Sequence, residues 1–512
     1  MLTTYARLFF ALCFILTLLA LILFSPHPAQ MSSDPLLWKP YLQQLSDTSV
    51  VVQWVTQTGA NPEVHYSTNA SFDTVASGDT RTADFGASLH RVELTGLRPS
   101  ITYTYKIYLD GADLLPLETF SFKTGPSLGS DAPFTFTVFG DYGTNTDSQK
   151  ALRDQLLLDS FDFIVTTGDN ASPAGNYPEF GTNVFDIYRD LFPTVSLFPA
   201  LGNHDTQTEN GQPYLDIFDL PPNAWRTSDR ERYYSFNYGN VHFAVLDSTV
   251  SLDETDSAAT DDMFDWLRDD LGQTPQPWQI VVLHHPAYST GLHGSSAQVQ
   301  AKLVPIFEAY GVDLVFSGHD HLYQRTLPIR EDLVTTTAAG GIVYIVSGGG
   351  SVLSYNCSPA AWLAFSLCGQ DYGLYNRVKV DGDTITLEAV IADGSVVDTL
   401  TLTQTSSLPL TTVSITGPTQ TTGSIPTTLQ ASTQPVTTTP PITYTWSASD
   451  HVPQTLVSGL TSQVTFAWTQ TGTQQVTVTA LNAWGAVTDT MSVEVLPAKT
   501  VFVPVLLKPA SD

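Results

Sequence analysis

Basic residues are scarce in this chain. Its 512 residues include 21 Lys and Arg against 50 Asp and Glu, a formal net charge of −29. Nucleic acid and anionic membrane are held mainly through phosphate contacts from Lys and Arg, so the chain is a poor partner for either, and nucleic-acid binding, nucleotide-sized substrates aside, is nearly excluded. On the same count an anionic phosphate substrate looks disfavoured. Charge of either sign is thin, at 14% of residues, where about a quarter is usual. That excludes a disordered acidic chain, and the 42% of apolar residues is enough for sizeable cores. Cysteine is nearly absent. Cys13 lies in an N-terminal apolar run, leaving Cys357 and Cys368 eleven positions apart. In an exported chain such a pair reads as a disulfide closing a small loop; the alternative, a metal pair, has no C-x-x-C spacing behind it. Long apolar runs are also few. Leu8 to Phe24 is 17 residues, preceded by Arg7 and followed by Ser25-Pro26-His27-Pro28. Residues 1–30 therefore read as a cleaved signal peptide or, since 17 residues is the lower limit for a span, a membrane anchor. The expected location is secreted or extracytoplasmic. Val501 to Leu507 is too short to span, and a sorting element or a last strand both remain open for the tail 498–512.

The length calls for two to four domains. Residues 31–124 carry short β-rich runs such as Ser49 to Trp54 and Tyr103 to Tyr108, with a corner at Leu94-Thr95-Gly96-Leu97-Arg98-Pro99. Such runs at regular spacing predict a β-sandwich, and the Trp, corner and Tyr-x-Tyr strand resemble a fibronectin type III module. Over residues 133–404 apolar runs alternate with helical segments. Strands are expected at Phe134–Phe139, Phe161–Thr166, Val195–Ala200, His242–Leu246, Ile280–Leu283 and Val312–Phe316, with helices at Ser148–Leu158, Met263–Leu271 and Ala297–Tyr310. This is an α/β core of buried sheets flanked by helices. Residues 411–497 are rich in Thr, Ser, Gln and Val in alternation, with no Lys or Arg between Lys379 and Lys499. They predict a second sandwich that resembles a polycystic-kidney-disease-type (PKD) or other immunoglobulin-like module, a candidate contact for a cell surface or polysaccharide.

Chemistry is concentrated where the central strands end. Six of the eleven histidines, His204, His284, His285, His293, His319 and His321, crowd loops with Asp and Asn. That is metal-ligand stock, and open α/β sheets place sites beyond the carboxyl ends of their strands. The order is Gly140-Asp141-Tyr142-Gly143, Gly168-Asp169-Asn170, Gly202-Asn203-His204-Asp205, Val281-Val282-Leu283-His284 and Gly318-His319-Asp320-His321. Carboxylates with imidazoles suit Fe, Zn or Mn, and an extended backbone at 319–321 would point both imidazoles to one side. Five ordered motifs of this kind resemble the calcineurin-like metallophosphoesterases, in their purple acid phosphatase branch, whose pattern is GDxG, GDxxY, GNH(E/D), VxxH and GHxH. The resemblance spans residues 35–404 and includes Tyr234-Ser235-Phe236, His242-Phe243 and Tyr344 to Gly350.

The resemblance implies two metal ions. Asp141, Asp169 and His321 would hold the first, and Asp169, Asn203, His284 and His319 the second, with Asp169 bridging. It implies a phosphatase, exported if the N-terminal run is read as above, in which a metal-activated hydroxide attacks phosphomonoesters in line. His204 would face the phosphoryl oxygens. His293, nine residues after His284, would protonate the leaving group or contact substrate. His285 is a weaker candidate against packing beside Pro286. Asp205, Asp320 and Arg325 read as supports of the loops. One motif departs: the branch has Tyr at the fifth position of GDxxY, where this chain has Ser172. Fe(III) is therefore disfavoured and divalent Fe, Zn or Mn expected, with Tyr177 or Asn145 as substitute ligands. Asn170-Ala171-Ser172 is also a glycosylation sequon, an unsuitable acceptor inside a metal loop. The alternative reading is a phosphodiesterase or nucleotidase on the same metals. A further one is a non-catalytic surface-binding protein, against which the ligand set argues.

Overall fold

A computed structural model describes residues 36–497 except 84, 251–256, 352–353, 405–409, 435–441 and 483–484. The expected signal or anchor (1–30), Cys13 and the tail 498–512 lie outside the described residues. No helix among the described residues is long and apolar enough to cross a membrane.

Two mixed sheets packed face to face build the centre. In the first, strands Phe134–Phe139, Phe163–Thr166 and Ser196–Pro199 run parallel side by side, with antiparallel Leu374–Asp381, Thr384–Ile391 and Val396–Thr403 beyond the first of them. In the second, Val241–Val245, Trp278–Val282, Leu314–Ser317 and Val343–Ser347 are parallel neighbours. Nearly all their residues are buried. This explains why the sequence reads as apolar runs and not as alternation. Phe136 and Phe163 meet Phe243 edge-on at 5.1 and 5.6 Å, and Phe198 stacks on Phe236 at 3.9 Å, so aromatic rings fill the space between the sheets.

The helices cover the outer faces. Thr146 caps helix Asp147–Leu158 by accepting from the Gln149 N–H. The single helix expected over 297–310 is two, Ala297–Lys302 and Val304–Tyr310. Pro305 has no N–H for the preceding turn and its ring clashes there, so the helix restarts at Leu303 with Pro in its first turn. The expected disulfide between Cys357 and Cys368 is formed.

The sequence marks a boundary between residues 124 and 133, yet the sheet runs across it. Strand Leu36–Gln43 lies beside Ser196–Pro199, pairing Leu42 with Ser196, and carries Ser49–Thr56, Ser88–Thr95 and Asp79–Thr82 onto the same sheet. The core is shared too. Trp38 stacks on Phe185 at 4.3 Å, and the Tyr41 and Tyr105 hydroxyls donate to the carbonyls of Ile217 and Pro193. Residues 412–496 form two further sheets around Tyr444, Trp446, Leu429 and Val478. Their outward threonines pair across strands, Thr477 with Thr490 and Thr479 with Thr488, both at 3.0 Å.

One N-terminal group couples this fold to pH. His90 is fully buried between the Thr56 and Thr80 hydroxyls at 2.7 and 2.8 Å. Burial, weakly opposed by Asp110, lowers its pKa from 6.5 to about 4. The unfolded chain takes up this proton first, so the stability is whole above pH 6.5 and is lost as pH falls toward 4, by roughly 3 kcal/mol. The melting temperature of the wild type should therefore fall over that window more steeply than that of His90→Gln. Parallel slopes would contradict the assignment.

Candidate metal centre

The carboxyl ends of both sets of parallel strands open onto one place. Asp141 and Asp169 follow strands of the first sheet; His284 and His319 follow strands of the second. Donor atoms of Asp141, Asp169 and His284, all buried, lie within 4.8 Å of one another. Both carboxylates and His319 sit on left-handed backbone, with φ of 56°, 50° and 68°. For residues with a Cβ this is strained, and such strain collects at functional sites. The glycines make room. At Gly168, φ is 95° and a Cβ would lie 2.7 Å from His284 Nδ1; at Gly202 a Cβ would run into the Asp169 backbone and carboxylate.

Hydrogen bonds aim the side chains. His284 Nδ1–H donates to the Thr167 carbonyl at 2.8 Å, which turns Nε2 toward Asp169 Oδ2 (3.4 Å) and Asn203 Oδ1 (2.9 Å). Asp169 Oδ1 accepts the His204 main-chain N–H at 2.8 Å. Asp141 Oδ2 accepts that of His319 at 3.0 Å, while His321 Nε2 stands 3.6 Å from Asp141 Oδ1. The ring of His319 is 5.1 Å from that of His284, 4.5 Å from His285 and 4.2 Å from His293. All six expected ligands are thus neighbours. His204 is part-exposed, its Nδ1 on the Pro173 carbonyl at 2.6 Å and its Nε2 3.8 Å from Asp169 Oδ2. His293 is exposed at the rim.

The electrostatics leave Asp141, but not Asp169, short of positive charge. Burial drives Asp141 well above its ordinary value despite the pull of His284. Burial also works to raise Asp169, but His284 and His204 outweigh it and hold it low. Burial would lower His284; Asp169, its hydrogen bond and Asp141 lift it instead, to about 9. At the other imidazoles burial wins. His321 and His285 fall to about 4 and His319 to about 2, each helped by neighbouring imidazoles. Neutral imidazole is the form that binds a metal. Asp141 Oδ1 is buried with no hydrogen-bond partner among the described residues. An orphaned carboxylate oxygen beside the neutral imidazoles of His319 and His321 fits a cation-binding role, in which a bound cation would displace the proton from His284.

Some expectations are revised and others are met. The backbone at His319-Asp320-His321 is a turn and not extended: Asp320 N–H reaches Gly318 O and Leu322 N–H reaches Asp320 O. The Asp320 carboxylate enforces that turn by accepting from the Ser289 hydroxyl and from the main-chain N–H of His293 (2.8 Å) and Gly294 (3.1 Å). Tyr177 is not a substitute ligand, because its hydroxyl donates to Asp216 and its ring packs on Phe85. Asn145 is exposed ahead of its helix with its main-chain N–H on Gln149. Arg325 is tied to Asp398 at 2.7 and 2.9 Å and buttresses the loop. His285 packs its Nδ1 on the Ser248 hydroxyl at 3.0 Å and sets its ring beside His319. Asn170 is fully buried, its Nδ2 donating to Ala200 O at 2.7 Å and to Asp205 at 2.8 Å. A sequon so placed offers no acceptor, and an intact-mass measurement should find no glycan on Asn170. Sequence reasoning missed Tyr355, whose ring stacks on His321 at 4.3 Å. Nothing local marks it; its nearness to Cys357 was the one available signal.

Comparisons with known proteins agree with this geometry. Residues 134–323 match the family model described as calcineurin-like phosphoesterase, and residues 39–124 the purple acid phosphatase N-terminal domain. A purple acid phosphatase of Glycine max is 28% identical over 302 residues, covering 54% of this chain and 62% of its own. Purple acid phosphatase 21 of Arabidopsis thaliana is 29% identical over 272 residues, covering 51% and 58%. The chain therefore spans about three fifths of the length of these relatives. The solved structure of purple acid phosphatase PPD1 from yellow lupin (Lupinus luteus) seeds shares the fold, with a TM-score of 0.61 at 20% identity over 71% of this chain and 74% of that one.

Proposed function

We propose that this chain, which carries a calcineurin-like phosphoesterase domain behind a purple acid phosphatase N-terminal domain, is an exported binuclear-metal phosphatase that hydrolyses phosphomonoesters. The observation that carries the reading is the buried cluster of Asp141, Asp169 and His284 with its unpaired Asp141 oxygen. Asp141, Asp169 and His321 would hold one metal, and Asp169, Asn203, His284 and His319 the other. When bound, the metals supply Lewis acidity and an activated water. The chain does the rest. Asp169 would serve as a ligand to both metals, and His284 is locked by its Thr167 bond with Nε2 inward. His204, fixed at Nδ1 by Pro173, keeps Nε2 for a phosphoryl oxygen. His293 at the rim would protonate the leaving alkoxide or contact substrate; general acid catalysis of this kind is worth roughly 10²–10⁴-fold.

The domain reading is 31–124 as a fibronectin III-like module, 133–404 as the phosphatase core and 411–497 as a PKD or immunoglobulin-like module for surface or polysaccharide contact. Rates on p-nitrophenyl phosphate against its bis ester test the mono- over diester preference; a faster diester rate favours the phosphodiesterase alternative. With Ser172 in place of a tyrosine ligand, the metal-loaded protein should be colourless. A visible charge-transfer band in the pure protein would contradict that.

A further inference from the structure

We propose that Tyr355, held by the disulfide-closed segment, walls the leaving-group side of the site and biases it toward phosphate esters of planar aromatic alcohols. This rests on the phosphatase reading above. Tyr355 lies nearly flat on His321, ring centres 4.3 Å apart and planes 18° apart, and meets His293 edge-on at 5.5 Å. It therefore bridges the inner cluster and the rim histidine assigned to the leaving group. Its place is imposed from several directions. The Tyr355 N–H donates to the His321 carbonyl at 2.8 Å and the Tyr355 carbonyl accepts from Gly369 N–H at 2.9 Å. Two residues on, the Cys357–Cys368 bond closes the loop, and Ser358 N–H donates to the Thr290 carbonyl, on the segment that carries His293.

The ring is half-buried, and its hydroxyl makes no hydrogen bond among the described residues. A tyrosine fixed at the backbone with an unengaged phenol is a surface for packing. The phosphoryl group is handled by charge deeper in the site, so what a substrate sets against Tyr355 and His293 is its leaving group. Aromatic pairs of this kind are worth about 0.5–1.5 kcal/mol beyond burial, or roughly two- to tenfold in relative rate.

The test compares kcat/KM for phenyl phosphate and hexafluoroisopropyl phosphate, whose leaving alcohols are similar in acidity but differ in planarity. Wild type, Tyr355→Phe, Tyr355→Ala and the double variant Cys357→Ser/Cys368→Ser are measured. The aryl-to-alkyl ratio should fall about two- to tenfold in Tyr355→Ala, move the same way in the double variant and stay unchanged in Tyr355→Phe. If Tyr355→Ala slows both esters equally, Tyr355 is structural only and the proposal fails. A wild type that hydrolyses neither ester overturns the phosphatase reading, and this inference with it.

Discussion

Asp169→Ala should abolish both metal retention and phosphate-ester hydrolysis, with the rate falling by at least about 10³-fold. Asp169 is the one residue that the proposed assignment gives to both metals. Its Oδ2 faces His284 Nε2 at 3.4 Å and His204 Nε2 at 3.8 Å, while its Oδ1 accepts the His204 N–H. Removing it deletes the charge that sustains His284 and frees the His204 loop. Asp169→Asn separates the two effects. It keeps the shape and an acceptor for His204 but loses the charge, so it should still fold, at a lower melting temperature than wild type because His284 loses its charge partner and the metal is gone, and it should lose metal and turnover. Atomic emission on dialysed protein, alongside rates, checks both. Intact activity in Asp169→Asn would show that the site lies elsewhere.

The second large effect is expected at Asp205, which touches no substrate in this account. Its carboxylate accepts from Gly202 N–H (2.9 Å), Asn170 N–H (3.1 Å), Ala171 N–H (3.1 Å) and Asn170 Nδ2 (2.8 Å), and it is fully buried. It pins the loop of Asp169 to the loop of Asn203. Asp205→Ala leaves three main-chain donors without this acceptor, at about 1–3 kcal/mol each. The loss should be roughly 3 kcal/mol or more in the unfolding transition of the phosphatase core, with kcat falling more than KM rises. Asp205→Asn, which retains one acceptor oxygen, should recover part of both. Wild-type stability in Asp205→Ala would mean the two loops are held by something else.

These residues also show what a sequence can and cannot carry. The five motifs were legible because each ligand sits just past a strand buried on both faces, and such strands announce themselves as apolar runs. Gly168 and Gly202 let those loops approach one another closely, where no side chain fits. The left-handed backbone of His319 was not legible, because Asp320, Ser289 and Gly294 impose it across the fold. The shared sheet was hidden too, since it rests on the single pairing of Leu42 with Ser196. Tyr355 escaped because its partners, His321 and His293, are 34 and 62 positions away.

The formal charge of −29 takes a different meaning beside this geometry. Two divalent ions would bring four positive charges against two from Asp141 and Asp169, so the local field would be set by metal that the residue count omits.

The most direct test measures metal content and phosphomonoester hydrolysis on the same preparation through chelation and reconstitution. The account predicts about two metal ions per chain, with activity lost on chelation and regained in step with metal. Fewer than one ion per chain after reconstitution, or hydrolysis that survives complete removal of metal, would contradict it.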